Sequence, residues 1–244
     1  LARSGETYRL NSWRDELLKT GIRGRNGQML HFASLELLPD TRHLHLTGAL
    51  VDTGERVLVS FGPEYAALEQ RQVEMAIHEA RKLRPAASMI VFCAFAFDPE
   101  AAKDIDETNW PGVTLLKVQM NTDLLTEDLK KARSSNQSFW LMGQPDVEVR
   151  QRKDGLYEVE VHGFDYFDTI KGEVVSGGKG KIAVWMLDTD YNERSLFPHQ
   201  VFFPMAGAKD GWNKLRKDVR AELDESLLSA FHGTVSLPFE KGKN

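Results

Sequence analysis

The alternation of apolar strand segments with amphipathic helix segments between residues 55 and 142 constrains the fold most strongly. Residues 55–61 and residues 89–97 are apolar runs typical of buried strands, and the second is long enough for a strand buried on both faces. Between them, apolar residues at near-helical spacing over residues 64–83 predict a long helix, which Pro85 ends. This order predicts right-handed β-α-β units and a mostly parallel sheet with helices on its faces.

The alternation continues beyond the second strand. Asp98-Pro99-Glu100 has the pattern of a helix start, with an aspartate N-cap, proline at the first helical position and an acid in the first turn. Strands are predicted over residues 112–120 and 138–142, and a helix is predicted from about residue 121 to residue 132. After Gly143 the pattern changes to short strands up to residue 203, including a hairpin around Lys153-Asp154-Gly155.

A final helix is predicted over residues 212–231, where apolar side chains recur every four residues. The predicted fold class is therefore α/β, with a mostly parallel sheet and flanking helices, followed by an antiparallel meander and a C-terminal helix. Residues 1–54 are predicted to form a basic arm or linker with short elements, residues 55–145 the α/β core, and residues 146–244 the antiparallel extension and C-terminal helix on the same body. The arm either wraps its own body or contacts phosphates.

The composition argues against an intrinsically disordered, a collagen-like and a coiled-coil protein. Lys and Arg number 31 against 36 Asp and Glu, which gives a net charge of −5, and 41% of residues are hydrophobic. These values are typical of a globular protein, and no apolar run is long enough to span a membrane. The chain starts without a signal-peptide pattern, and Cys93, the single cysteine, lies in an apolar run that predicts a buried thiol. These features predict a cytoplasmic protein with no membrane partner.

Motifs for nucleotide, zinc and nucleophile chemistry are absent. The chain has no GxxxxGK[ST] or GxGxxG loop, no HExxH or paired CxxC, and no GxSxG. His43 and His45 alternate on one predicted strand face, as two metal ligands or as a solvated strand edge. Asp188 and Asp190 follow a predicted strand and are the candidates for a Mg²⁺ site, although Asp-Thr-Asp-Tyr-Asn is also strong turn chemistry.

Two metal-dependent enzyme classes remain as alternatives. A divalent-metal phosphoesterase would use Asp188, Asp190 and Glu64. A nuclease-like site would use Asp146 with Glu148-Val149-Arg150, but there Arg replaces the lysine that restriction-type nucleases carry, and arginine does not deprotonate.

Basic residues at the end of the predicted helix 121–132 are the main candidates for a DNA interface. Cations here complement the helix dipole, or they bind phosphates beside short neutral donors. A second basic cluster straddles the predicted hairpin turn. Three neighbouring aromatic residues, Phe164, Tyr166 and Phe167, either stack on bases or belong to the core. The candidate DNA-binding residues are Lys130, Lys131, Arg133, Ser134, Ser135, Asn136, Arg150, Arg152 and Lys153.

Several long segments together carry a family resemblance. They are Phe61-Gly62-Pro63-Glu64-Tyr65 with residues 69–74, residues 97–105, residues 110–116, residues 121–146, residues 185–190 and residues 202–207. Over nearly its whole length the chain resembles the C-terminal region of prokaryotic site-specific adenine DNA methyltransferases, the modification subunits of type III-like restriction–modification systems. The family's catalytic Asp-Pro-Pro-aromatic motif has only Asp98-Pro99-Glu100 as a near relative, and Phe61-Gly62-Pro63 does not fit its methyl-donor loop.

The resemblance implies a non-catalytic module that lies beyond the catalytic domain of a longer parent protein. It implies no catalytic residue, metal or cofactor in this chain, with S-adenosylmethionine expected for the parent enzyme. The implied partners are DNA, the catalytic domain of the same protein, and a restriction subunit or further copies of the chain. A pure assembly domain without DNA contact is the remaining alternative.

Overall fold

The computed structural model describes residues 2–24, 28–125, 138–191, 197–207 and 231–242. They form two compact units. Unit 1 comprises Leu1–Met142 with Phe167–Glu173, and unit 2 comprises Gly143–Tyr166 with Val174–Asn244.

Up to residue 142 the elements are α1 (Ala2–Thr20), β1 (Ile22–Arg23), β2 (Met29–Leu30), β3 (Phe32–Leu37), β4 (Leu46–Leu50), β5 (Arg56–Phe61), α2 (Gln70–Lys82), β6 (Met89–Ala94), α3 (Pro99–Glu107), β7 (Thr114–Met120) and β8 (Phe139–Leu141). Then follow β9 (Gln144–Gln151), β10 (Tyr157–Asp168), β11 (Glu173–Gly178), β12 (Trp185–Leu187) and β13 (Gln200–Phe202). Single 3-10 turns occupy Thr122–Leu125, Lys179–Lys181 and Pro204–Gly207.

The chain has an α/β fold, built in unit 1 around one mixed eight-stranded sheet with the order β2-β1-β8-β7-β6-β5-β4-β3. Its end strands β2 and β3 are separated in sequence only by His31, so the sheet curls until it is nearly closed. Among the described strands three neighbouring pairs are parallel and four are antiparallel. The prediction of a mostly parallel sheet is therefore not confirmed.

The predicted β-α-β units are confirmed in the centre of this sheet. Strands β5, β6 and β7 are parallel, and α2 and α3 connect them. Every residue of β6 is buried, with Val91 and Cys93 facing the enclosed core and Ile90 and Phe92 packing in the cluster that contains the helices. Burial raises the pKa of the Cys93 thiol, so the predicted buried thiol is confirmed and is not a nucleophile at neutral pH.

Residues 1–54 belong to the body of unit 1 and do not form a separate arm. They supply α1 and four strands, and the antiparallel pairings that make the sheet mixed lie largely here. The reason is the placement of apolar residues, since Trp13 and Leu17 of α1 are buried in the same core as two residues of β3 and two of β4. The strand residues are Phe32, Leu35, Leu46 and Leu50. Gly21 terminates α1, because it has a φ of 69° and its N–H donates to the carbonyl of Leu17.

Unit 2 contains the predicted antiparallel meander. Strands β9 and β10 form a hairpin in which Val149 lies opposite Val159, and Gly155 takes a positive φ of 85° in the predicted turn. β11 lies on the other side of β10, and β12 pairs antiparallel with β13. Of the predicted helix over residues 212–231, all but the last residue lies outside the described residues, as does most of the predicted helix 121–132.

Among the described residues, none of the helices combines the length and the apolar character that crossing a membrane requires.

Candidate functional site

A cavity of about 740 Å³ opens in unit 1 at the carboxyl end of β5. Open α/β sheets bind ligands outside the carboxyl ends of their parallel strands. α1 contributes Arg9 and Trp13 to the cavity wall, and α2 contributes Gln72. The segment before β4 contributes Arg42, His43 and His45. The chain leaves β5 through Phe61-Gly62-Pro63-Glu64, which forms the remaining wall.

Aromatic side chains form the apolar part of this wall. The ring centroids of Trp13 and Phe61 are 5.4 Å apart, and Phe95 meets Trp13 edge-on at 5.6 Å. Trp13 is only 3% exposed, and its indole N–H has no hydrogen-bond partner among the described residues. A buried unpaired donor costs about 1–3 kcal/mol, and such groups concentrate at functional sites.

His45 is the titratable group most strongly affected by this environment. Its Nδ1 accepts a hydrogen bond of 2.9 Å from the backbone N–H of Phe61. Burial, and then the proximity of His43, lower the pKa of His45 to about 4, so the ring is neutral at pH 7. Because Nδ1 is the acceptor, the single proton of the neutral ring lies on Nε2. His45 therefore presents one N–H donor with no partner among the described residues.

His43 and Glu79 hold the segment that precedes β4. The carboxylate of Glu79 accepts from the backbone N–H groups of Arg42, His43 and Leu44, and from Nδ1 of His43 at 3.1 Å. Burial raises the pKa of Glu79, but the hydrogen bond from His43 and the three backbone donors outweigh it and leave the pKa lowered. His43 and His45 thus line one cavity, but Nε2 of His45 carries the ring proton and Nδ1 accepts from Phe61, so this ring offers no free lone pair to a shared metal.

Charge in the cavity is unevenly compensated. Nε of Arg9 lies 2.7 Å from Glu64, so these two charges neutralise each other. No carboxylate of the described residues pairs with the exposed guanidinium of Arg42. Gln72 donates from Nε2 to the carbonyl of Phe61 at 2.8 Å and to Ser60, which leaves its carbonyl oxygen as an acceptor. Among the described residues the cavity therefore combines an apolar wall, neutral donors and acceptors, and one cation without a carboxylate partner, Arg42.

The predicted DNA-binding residues fall into two groups. Lys130, Lys131, Arg133, Ser134, Ser135 and Asn136 lie outside the described residues. The other group lies on the β9–β10 hairpin and is largely neutralised. Arg150 pairs with Glu148 at 2.6 Å and with Glu160 at 2.8 Å, and Arg152 pairs with Glu158 and Asp154. Lys153 has no such partner in the part of the chain that the structure describes.

This hairpin carries a charged cluster that sequence reasoning missed. Ligand atoms of Glu148, Glu160 and His162 lie within 4.8 Å of one another. Hydrogen bonds from Arg150 and then His162 lower the pKa of Glu148 to about 2. The proposed nuclease acid Glu148 is therefore held in an ion-pair network with Arg150. The sequence contains the information needed to identify this cluster, since the predicted turn sets the strand register that places Glu160 opposite Glu148.

The carboxylate of Asp188 accepts one hydrogen bond from its own turn and one from a residue further along the chain. Its two carboxylate oxygens accept from the backbone N–H groups of Phe197 at 2.8 Å and of Asp190 at 3.0 Å, and His199 lies 3.2 Å away. The N–H of Phe197 and then that of Asp190 lower the pKa of Asp188. This geometry matches the turn interpretation of the sequence and uses the oxygen atoms that a Mg²⁺ ion would need.

We expect that replacing Asp188 and Asp190 together with asparagine leaves Mg²⁺ binding undetectable, as in the unsubstituted chain, because Asp188 serves the turn. Since the folded-state pKa of Asp188 is lowered, its stabilising contribution is present above the unfolded-state pKa near ~4 and is lost as the pH falls. Asp188→Asn alone should therefore lower the Tm at pH 7 by more than at pH 3. Calorimetric Mg²⁺ titration and melting at both pH values test this, and Mn²⁺ bound between the two carboxylates in a soaked crystal would contradict it.

The three neighbouring aromatic residues noted in the sequence, Phe164, Tyr166 and Phe167, have different surroundings. Phe167 is buried in the core of unit 1, which confirms the core interpretation for this residue. The rings of Phe164 and Tyr166 lie 5.7 Å apart, and Phe164 packs on Gly177.

The β5 cavity joins residues separated by up to 63 positions along the chain, from Arg9 to Gln72. Sequence reasoning noted the paired histidines and the basic N-terminal region but did not bring them together. Comparisons of the chain with protein-family models, with curated proteins and with solved structures find no match.

Proposed function

We propose that this chain is a non-catalytic C-terminal module of a site-specific adenine DNA methyltransferase, and that it serves DNA engagement and subunit assembly. The proposal begins from the segments that resemble this family. They include the end of β5 at the cavity, α3, the start of β7, and the strands β12 and β13. The resemblance thus involves both units and includes the loop that forms one wall of the candidate site.

The role of Asp98 supports the non-catalytic part of the proposal. Asp98 is the N-cap of α3, and its carboxylate accepts from the backbone N–H of Glu100 at 2.9 Å, with Pro99 at the start of the helix. A side chain that caps its own helix is not free to hold the amino group of an extruded adenine. Methyl transfer and S-adenosylmethionine binding are therefore assigned to the catalytic domain of the parent protein.

The observation that carries DNA engagement is the uncompensated Arg42 at a cavity with aromatic walls. Arginine binds phosphate oxygens through its planar set of donors, and nucleic-acid sites combine such cations with apolar or aromatic surfaces. Lys130, Lys131 and Arg133 are the proposed phosphate contacts beside Ser134, Ser135 and Asn136, and Lys153 is the least neutralised of the hairpin cations. The net charge of −5 implies modest affinity for the isolated chain.

Two titrations of the isolated chain test the proposal. Fluorescence anisotropy with labelled duplex DNA is expected to give a Kd of about 10⁻⁴–10⁻⁶ M that weakens with salt. Calorimetry with S-adenosylmethionine is expected to give no binding in the micromolar range. Micromolar binding of the methyl donor would contradict the non-catalytic assignment. Absence of any salt-dependent DNA binding would favour the assembly domain without DNA contact, and phosphoesterase activity dependent on Asp188 would favour the metal-enzyme alternative.

A further inference from the structure

We propose that the β5 cavity binds a single nucleotide, with the base on the wall formed by Trp13, Phe61 and Pro63 and the phosphate at Arg42. The cavity volume of about 740 Å³ lies within the range of about 300–1,000 Å³ that small-molecule sites occupy. All of its lining residues in the part of the chain that the structure describes belong to unit 1. The inference rests on the proposed function only where it takes DNA as the source of the nucleotide.

The apolar wall suits a flat heteroaromatic ring. Trp13 and Phe61 are fixed by each other and by the core, and Pro63 extends the wall outward as an exposed residue. Rigid rings bind a planar ligand without losing side-chain entropy. An aliphatic ligand would fill such a wall equally well, so the polar groups must decide the class of ligand.

The polar groups of the cavity are of the two kinds, donor and acceptor, with which the edge of a nucleobase can pair. His45 offers a neutral N–H donor from Nε2, and Gln72 offers a carbonyl acceptor from Oε1, since the other polar atom of each side chain is engaged by the backbone of Phe61. Nucleobases carry adjacent donors and acceptors on their edges, and a buried site that pairs with them discriminates strongly against ligands that lack them. A neutral donor also avoids the cost of burying a charge beside the base.

The cations suggest where an anionic group would lie. Arg9 is paired with Glu64, so Arg42 is the lining cation whose guanidinium has no ion-pair partner among the described residues. The backbone of Arg42 is held by Glu79, which fixes the position from which its side chain extends. A nucleoside with a phosphate is therefore expected to bind more tightly than the nucleoside alone.

Binding of the four 5′-deoxynucleoside monophosphates and of the corresponding nucleosides to the full chain tests the inference. Tryptophan fluorescence reports binding, and Trp13→Phe keeps a ring in the wall while identifying the contribution of Trp13 to the signal. Arg42→Gln is expected to weaken nucleotide binding about tenfold and to leave nucleoside binding unchanged, because one charge-assisted contact is lost. Arg84→Gln is the matched control, since Arg84 is exposed after the end of α2, at the opposite edge of the sheet, and should change neither affinity.

His45→Asn tests the base contact separately. The asparagine Oδ1 replaces Nδ1 as the acceptor for the N–H of Phe61, whereas the donor at Nε2 is lost. Nucleosides and nucleotides should both bind about tenfold more weakly to this variant, at an unchanged melting temperature. Equal binding of nucleosides and nucleotides by the parent chain, or unchanged binding in both variants, would overturn the inference.

Oligonucleotides distinguish the two sources of the nucleotide. Competition of free nucleotide by DNA with one unpaired base, but not by a fully paired duplex of the same length, would show that the cavity takes a nucleotide from DNA. Nucleotide binding without such competition would support the cavity as a site for free nucleotides. It would contradict DNA engagement through this cavity. Duplex binding without any nucleotide binding would overturn the inference while leaving the proposed function in place.

Discussion

Replacement of Lys117 by methionine is expected to lower the free energy of unfolding by about 3 kcal/mol. Lys117 lies on β7 with a side chain that is only 5% exposed, and its Nζ donates to Asp106 of α3 at 2.6 Å. Methionine keeps an unbranched apolar stem but removes the ammonium group. The carboxylate of Asp106, 17% exposed, would then remain partly buried without its cation.

Urea unfolding at pH 7 measures this loss, and two variants control it. Lys117→Met with Asp106→Asn should recover most of the stability, because no unpaired charge is left. Lys103→Met on the exposed face of α3 should change stability by less than about 0.5 kcal/mol.

The pH dependence gives a second check on the same pair. Burial raises the pKa of Asp106 even beside Lys117, and without the lysine it should rise further. A carboxyl group with a raised folded-state pKa favours folding in its protonated form, so the deficit of Lys117→Met should shrink as the pH falls. An unchanged urea midpoint in Lys117→Met, or a deficit that grows at low pH, would contradict this account.

Local patterns were sufficient to predict the centre of the sheet. The continuous apolar run of β6 permits only a strand buried on both faces, and the spacing of Val73, Ala76, Ile77 and Ala80 gives α2 one buried face. The aspartate–proline start of α3 was equally local. Each of these elements is determined by residues within a few positions, so periodicity identifies them.

The remaining part of unit 1 depends on pairing between distant segments. The closure of the sheet requires β1 to pair with β8, more than a hundred residues away, and nothing local to Ile22 or Arg23 specifies that partner. The same holds for Lys117, whose burial follows from the position of α3 over β7 and not from the strand itself. Basic composition alone therefore led to an N-terminal arm where the structure has strands.

The same distinction between local and distant partners applies to the contacts of the predicted site residues. Asp188 could be assigned to a turn because its partner, the N–H of Asp190, lies only two residues further along the chain. Arg150 and Arg152 are predicted as candidate DNA contacts, and the pairing of each with an acid across the hairpin follows only from the strand register. The β5 cavity could not be predicted from the sequence, because α1, the segment before β4 and α2 meet only in the folded protein.

Replacement of Lys130, Lys131 and Arg133 by alanine is expected to weaken duplex binding by about two orders of magnitude near 0.15 M salt. If each cation contacts one phosphate, three counterion-releasing contacts are lost, and the slope of log affinity against log salt falls by about 3. Phosphate contacts carry no sequence information, so all duplexes should be affected alike. Anisotropy titrations at four salt concentrations, with two duplexes of unrelated sequence, measure both quantities.

A matched triple variant separates these contacts from the effect of overall charge. Arg71→Ala, Arg84→Ala and Lys103→Ala remove three exposed cations of the helical face and shift the net charge by the same three units, from −5 to −8. If the more acidic chain only repels DNA in general, both variants should bind DNA equally weakly. Neither should then show a slope of log affinity against log salt that is reduced by 3. An unchanged affinity and slope in the first variant would mean that Lys130, Lys131 and Arg133 only complement a helix end. In that case the assembly domain without DNA contact becomes the better account of the chain.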